Sequence, residues 1–251
     1  MRKNAVFAVL MIYQRHEQLI SDAPELMETF LESEADATCK RNAFLALLHM
    51  APERAVAFLE SMIDQITLYD ELMQMAIIEL IRKDAKGECP RRPQYIAAVS
   101  ELLASPSHAV KYEAAITLAG LTQNVAAVKA VAAALIELTV KESDNNVKLI
   151  VLDRLNALRQ RHEHALDPLV IDLLRVLSSP DMDVRRKVLS MALEMLSVRT
   201  VEEVILVLKK ELAKTAGAAQ EAGAEYRQLL IQTLHSCAVR FSDAVSYTHL
   251  T

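Results

Sequence analysis

The stretches Asp144-Asn-Asn-Val147-Lys148-Leu-Ile-Val151 and Asp181-Met-Asp-Val184-Arg185-Arg-Lys-Val188 stand 37 residues apart and obey one rule. An acid is followed three places later by an apolar anchor, then by a cation, then by an apolar residue four places after the anchor. Ser107-His-Ala-Val110-Lys111 precedes them by another 37 residues. Asp36-Ala-Thr-Cys39-Lys40 and Asp70-Glu-Leu-Met73-Gln74 carry the series toward the N-terminus. Incomplete copies open at Met1-Arg2 and Tyr226-Arg227, so the anchors fall at 1, 39, 73, 110, 147, 184 and 226. From each anchor, the residues at 0, +4, +8 and +11 form one stripe of a helix with 3.6 residues per turn. Twenty-seven of these 28 residues are apolar, and Asp84 is the exception. The Asp or Ser three places before an anchor is an N-cap, whose side-chain oxygen accepts an orphan backbone N–H.

Each such helix needs a partner to bury its stripe. The intervening segments, roughly 24–32, 53–66, 92–104, 125–140, 165–178 and 200–214, read as those partners. Pro24, Pro52 and Pro93 mark the starts of three, where a missing N–H costs nothing. A two-helix unit of about 37 residues is the period of helical repeat arrays rather than of propellers or sandwiches. The expected fold is therefore all-α: a HEAT/armadillo-like α-solenoid of about seven helix pairs. The Ala/Gly-rich segment Lys214 to Glu225 reads as an inter-helix loop, as does Lys86 to Pro93. Neither end carries a polar capping helix, which reads as a piece of a longer array.

Composition agrees. Apolar residues make up 52% of the 251, enough for a continuous core, while only four glycines are available for turns that need positive φ. A net charge of −5 and 4% aromatics argue against nucleic acid as a partner, which needs a basic surface and stacking rings. Cys39, Cys89 and Cys237 lie far apart and are odd in number, the usage of free thiols in a reducing compartment. Met1-Arg2-Lys3-Asn4 followed by apolar Ala5 to Tyr13 has the outline of a signal peptide. Gln14-Arg15-His16-Glu17 supplies no small-residue cleavage site, so this run is expected to be a buried helix.

Catalytic chemistry finds little support. His162-Glu163-His164 offers two metal ligands at best and lacks the second His of HExxH, so it reads as a solvated loop. His235 and Cys237 stand two apart, but Cys237 occupies the apolar stripe, as Cys39 does. Met50, Met73 and Met195 also fall in stripe positions. No phosphate-cradling or nucleophile-elbow motif occurs, and no catalytic residue, cofactor or metal is expected. One constellation remains: a basic column at +1, formed by Arg2, Lys40, Lys111, Lys148, Arg185 and Arg227, densest at Arg185-Arg186-Lys187. Two readings stay open. Each cation pairs with a cap or acid of a neighbouring unit, or the column is a groove for acidic partner segments or anionic headgroups.

Four strings go beyond the repeat: AVKYEAAITLAGLT (109–122), KESDNNVKLIVLDRL (141–155), VEEVILVLKKEL (201–212) and YRQLLIQTLHSCAVRF (226–241). They resemble the trunks of the adaptin-like large subunits of vesicle coats, the family that holds the beta chains of coatomer and of clathrin adaptors. KESDNN favours the coatomer branch. The resemblance runs from Arg2 to Asp243, so residues 1–243 are expected to be one segment of such a trunk, and 244–251 a tail outside the pattern. It implies a non-enzymatic scaffold on vesicles moving within the Golgi and back to the endoplasmic reticulum. The implied partners are other coatomer subunits, an Arf-type small GTPase and, peripherally, the Golgi membrane from the cytoplasmic side. GTPase-contacting helices lie toward the N-terminal part of such trunks, so the resemblance assigns no GTPase-binding residue here. A clathrin-adaptor beta chain, or a helical-repeat scaffold such as a transport receptor or phosphatase scaffold, is the alternative.

Overall fold

A computed structural model describes residues 2–215 and 221–242. Internal packing divides the chain into two compact units, Met1–Thr122 and Gln123–Thr251. The first holds α1 (Arg2–Arg15), α2 (Ala23–Ser33), α3 (Ala37–Met50), α4 (Pro52–Met62), α5 (Glu71–Asp84), α6 (Arg92–Leu102) and α7 (His108–Leu121). The second holds α8 (Val125–Lys141), α9 (Asn145–Arg161), α10 (Val170–Leu174), α11 (Met182–Glu194), α12 (Val201–Lys214) and α13 (Glu221–Arg240). Short 3₁₀ turns extend α4 over Ile63–Leu68 and flank α10 at Asp167–Leu169 and Arg175–Ser178. No strand occurs among the described residues. The pairs α2/α3, α4/α5, α6/α7, α8/α9, α10/α11 and α12/α13 are the expected helix pairs of an all-α solenoid, and α1 stands as a second helix alone.

Each second helix starts at its cap. The backbone N–H of Cys39 donates to Asp36 Oδ1 at 2.8 Å, that of Met73 to Asp70 at 3.2 Å, and that of Val110 to Ser107 Oγ at 3.4 Å. Asp144 accepts from Asn146 and Val147, and Asp181 from Val184 at 2.9 Å. These bonds hold the Asp36 carboxyl below the usual carboxylate range, the backbone N–H of Cys39 being the largest cause. In all five the anchor's own N–H donates, and in four of them, all but Val147, this ties the cap to the first buried side chain.

The stripe is the core. Ala43, Leu47, Ile77, Ile81, Val110, Ala114, Leu118, Val184, Val188 and Leu230 are completely excluded from solvent. Second helices also stack on one another within each unit, α3 on α5 and α5 on α7, then α9 on α11 and α11 on α13. Phe44 and Phe58 close the α3/α4 layer, their ring centroids 6.1 Å apart and tilted by 52°. Cys39 and Cys237 are buried in the stripe, which pushes both thiols up, and Cys89 is half-buried.

Three expectations need correction. α1 is not a buried helix: only Val6 is buried, while Ile12 is 40% exposed and Ala5 is open. The stripe of the later second helices is covered by the first helix of their own pair. Among the described residues α1 has none and packs chiefly against α2, α3 and the turn after it. Val147 keeps its helix position and its cap bond yet is 38% exposed. Finally, Glu221–Glu225 belongs to α13 rather than to a loop, as the Ala-rich composition permits. Residues 216–220 and the tail 244–251 lie outside the described residues.

Candidate partner-binding surface

The +1 column has a local logic that one exception exposes. Where the other copies carry a cation, α5 carries Gln74, and its side-chain amide is buried. Gln74 Nε2 donates to the carbonyls of Ile66, Thr67 and Tyr69 at 3.2, 3.3 and 3.0 Å. These carbonyls end the preceding first helix, where C=O groups lack helical partners and the helix dipole is negative. Arg185 does the equivalent in its own pair, with Nε 3.4 Å from the carbonyl of Leu177. Its guanidinium also lies 3.9 Å from the centroid of the Tyr226 ring. Lys148 is buried to 8% exposure, with Nζ 3.3 Å from Ser179 Oγ, and Lys111 is buried to the same degree. Arg2 Nη1 reaches the buried carboxylate of Glu34 at 2.9 Å. Lys40 is half-buried and Arg227 exposed. Arg186 pairs with Asp183 and Glu225, and Lys187 with Asp153.

Further ion pairs join successive repeats. Arg54 bridges Glu25 and Glu28 at 3.1 and 2.8 Å, and Arg82 pairs with Glu113. Arg159 pairs with Glu194, and Asn145 Nδ2 donates to the Asp181 cap at 3.1 Å. Half-exposed pairs contribute little to stability one by one, but each fixes the register of one helix on the next.

Asp84 explains its own departure from the stripe. It accepts from Arg91 Nε and Nη2 at 3.2 and 3.0 Å, from the Tyr95 hydroxyl at 2.8 Å and from the Cys89 thiol at 3.4 Å. Burial would raise its pKa, but the bonds from Arg91, Tyr95 and Cys89 win and hold the carboxyl below its usual range. The result is a knot that ties the loop after α5 to the start of α6. No fold-level reading of the repeat predicts it; the signal was an acid in an otherwise apolar column.

The His162-Glu163-His164 segment is a turn. His164 adopts a φ of 61°, and its Nδ1 lies 3.1 Å from Asp167 Oδ2 on an exposed surface. His235 is exposed while Cys237 is buried, so the two do not face a common site. Among the described residues, no three His, Cys, Asp or Glu side chains group as a metal site, and no helix is long and apolar enough to cross a membrane.

One open concavity of about 760 Å³ lies over α4 and the ends of α3 and α5, and two others run along the second helices. In the first unit a groove of about 600 Å³ runs over α3 and α5, with Phe7, Leu45, Leu72 and Met75 on its surface. In the second unit a groove of about 640 Å³ runs over α9, α11 and α13. Its surface carries Asp183, Arg186, Lys187, Ser190 and Gln232. The middle helices of the two grooves, α5 and α11, present the same register positions, −1, +2, +3, +5, +6 and +9 from the anchor. Of these positions only Arg186 and Lys187 stand out in the sequence, as part of the basic cluster; the rest vary from copy to copy without a periodic signal.

Comparison with known proteins adds the family. Coatomer subunit beta of Sus scrofa is 50% identical over 245 residues, covering 96% of this chain. The Drosophila melanogaster protein of that name is 47% identical over 247 residues, and the Dictyostelium discoideum one 44% over 244. The chain spans 26 to 27% of the length of these relatives. Residues 1–249 match the adaptin N terminal region, a family model that covers every helix pair described above. The chain therefore belongs to the adaptin family.

Proposed function

We propose that this chain is part of a coatomer-type vesicle-coat subunit and acts as a non-enzymatic scaffold in transport within the Golgi and back to the endoplasmic reticulum. The observation that carries the reading is the 50% identity to coatomer subunit beta over 245 residues, which runs through the repeats rather than through one motif. The other subunits of the coat are its partners in this reading, with an Arf-type small GTPase recruiting the assembly to the cytoplasmic face of Golgi membranes. Residues 1–243 act as one trunk segment and 244–251 stand apart from it. Extended helical-repeat surfaces suit this role, because shallow contacts add over a long interface. The basic column contributes to partner binding through its accessible members: Lys40 at one repeat, and Arg186 with Lys187 in the second groove. Lys111, Lys148 and Arg185 support it from within the repeats.

The test is affinity purification of the tagged chain from cell extract with mass spectrometry of what accompanies it. Recovery of coatomer subunits is the expected result. Recovery of clathrin-adaptor subunits, or of a soluble enzyme or transport cargo without coat proteins, overturns the reading.

A further inference from the structure

We propose that the groove over α3 and α5 docks a short segment of a partner coat protein that carries apolar side chains beside a carboxylate. The inference rests on the coat reading above and names the chemistry of one contact within it.

The molecule supplies its own control. Leu189 and Leu193 hold +5 and +9 of the second groove's middle helix, but its −1, +2, +3 and +6 positions carry Asp183, Arg186, Lys187 and Ser190, and its helices stack as the first unit's do. Apolar residues at these positions are thus no requirement of the repeat. The first groove nevertheless places Leu72, 53% exposed, and Phe7, 43% exposed, around half-buried Leu45 and Met75. Met11, one turn beyond Phe7 on α1, is 55% exposed. A contiguous apolar patch of this kind marks a surface that a ligand covers, and its volume lies in the range that accepts anchoring side chains.

Charge selects the occupant. Three of the four charged residues on the groove's surface are already paired: Arg82 with Glu113 and the Thr117 hydroxyl, and Glu79 with Lys83 at 2.7 Å. The fourth, Arg41, donates through Nε and Nη2 to Asn42 Oδ1, a neutral acceptor, at 3.4 and 3.1 Å. No carboxylate pairs with Arg41 among the described residues. The groove therefore carries one uncompensated positive charge at an apolar edge. A guanidinium in that position prefers a carboxylate, which it can take in a two-bond fork.

The experiment places a photo-crosslinking amino acid at Leu72 in the tagged chain, in the extract used for co-purification, and maps the cross-link by mass spectrometry. A second probe at Ser190 reports on the other groove. The expected cross-link from position 72 falls on one segment of a co-purifying coat subunit, with apolar residues flanking an Asp or Glu. Arg41→Glu lowers its yield about tenfold, and reversing the partner's acid to Arg restores it. The Ser190 probe reaches a different segment. Far-UV circular dichroism and the melting midpoint of the Arg41→Glu chain confirm that it folds. The proposal falls if coat subunits co-purify but position 72 gives no cross-link to them, if the cross-link joins two copies of this chain, or if Arg41→Glu leaves the yield unchanged. Absence of coat subunits altogether removes the coat reading, and this proposal with it.

Discussion

Replacing Asp84 by Leu would complete the apolar stripe, since the +11 positions of the other copies are Ile12, Met50, Leu121, Leu158, Met195 and Cys237. Pattern alone thus expects Asp84→Leu to be neutral or stabilising. The structure expects the opposite. The Tyr95 side chain is fully buried and its hydroxyl donates to Asp84, so removing the acceptor leaves a buried donor unsatisfied at a cost of about 1–3 kcal/mol. Arg91 is one-third exposed and keeps Glu60 at 3.5 Å, so its loss is discounted for solvent to about 0.5–1 kcal/mol. Added apolar burial offsets up to about 1 kcal/mol. The net expectation is a destabilisation of about 2 kcal/mol, read from guanidinium unfolding by far-UV circular dichroism. A double-mutant cycle isolates the hydroxyl: Tyr95→Phe costs about 1 kcal/mol in the native background and nothing in the Asp84→Leu background. The carboxyl's depressed pKa adds a pH signature. Because the folded value lies below the ordinary 3.8, the unfolded chain binds more protons as pH falls through this window. The native chain's advantage over Asp84→Leu is complete above the ordinary value and shrinks as pH drops through the folded one. An Asp84→Leu chain as stable as the native one at neutral pH would refute the argument.

Gln74→Ala should destabilise by about 1–3 kcal/mol by orphaning buried carbonyls, whereas Gln74→Lys, which restores the column's usual donor, should cost less; denaturation midpoints compare the two. Asp181→Ala removes both the α11 cap and the acceptor for Asn145, and a loss of about 1–2 kcal/mol is expected from the same assay. Tyr226→Phe should be neutral or slightly stabilising. Burial pushes the Tyr226 hydroxyl up to about 12, and it has no partner among the described residues; a loss above about 1 kcal/mol would reveal one. Thiol labelling of the native chain should modify Cys89 well before Cys39 and Cys237, which require unfolding; simultaneous labelling of all three would contradict the burial of the stripe.

The repeat was legible because its determinants are periodic. A cap, an anchor and a column every four residues are all local, and helix propensity, turn chemistry and burial agree on them. Hence the segment 125–140 is read within one residue of α8, Val125–Lys141, and the five caps carry the bonds their spacing implies. What escaped is what depends on a neighbour. Burial of the stripe in α1 is set by which helices lie across from it, not by the side chains themselves. The helix at Glu221–Glu225 escaped because Ala and Gly in one string carry opposite messages. Asp84 carried a visible signal, but its meaning needed Tyr95 and Arg91 from beyond the loop.

The +1 and +2 positions divide two tasks that the sequence shows as one basic cluster. Gln74 and Arg185 direct +1 donors at carbonyls of their own pair, and Lys148 meets a hydroxyl of the next. A neutral amide does this job in α5, so in these three helices donation rather than charge is what +1 supplies, while Arg2 meets the Glu34 carboxylate. One residue on, the helix has turned by about 100°, and the side chain stands over the groove instead. There the copies diverge: Arg41 in α3, Met75 in α5, Leu149 in α9 and Arg186 in α11. The +1 donors of α5, α9 and α11 serve the packing of the repeats. Varied chemistry at +2 is free of that constraint and is the place where neighbouring grooves can select different segments. Exchanging the two sets separates the tasks: Gln74→Ala should lower stability with cross-linking at Leu72 retained, and Arg41→Glu should lower cross-linking with stability retained. The same response from both substitutions would mean that groove and stack are not independent.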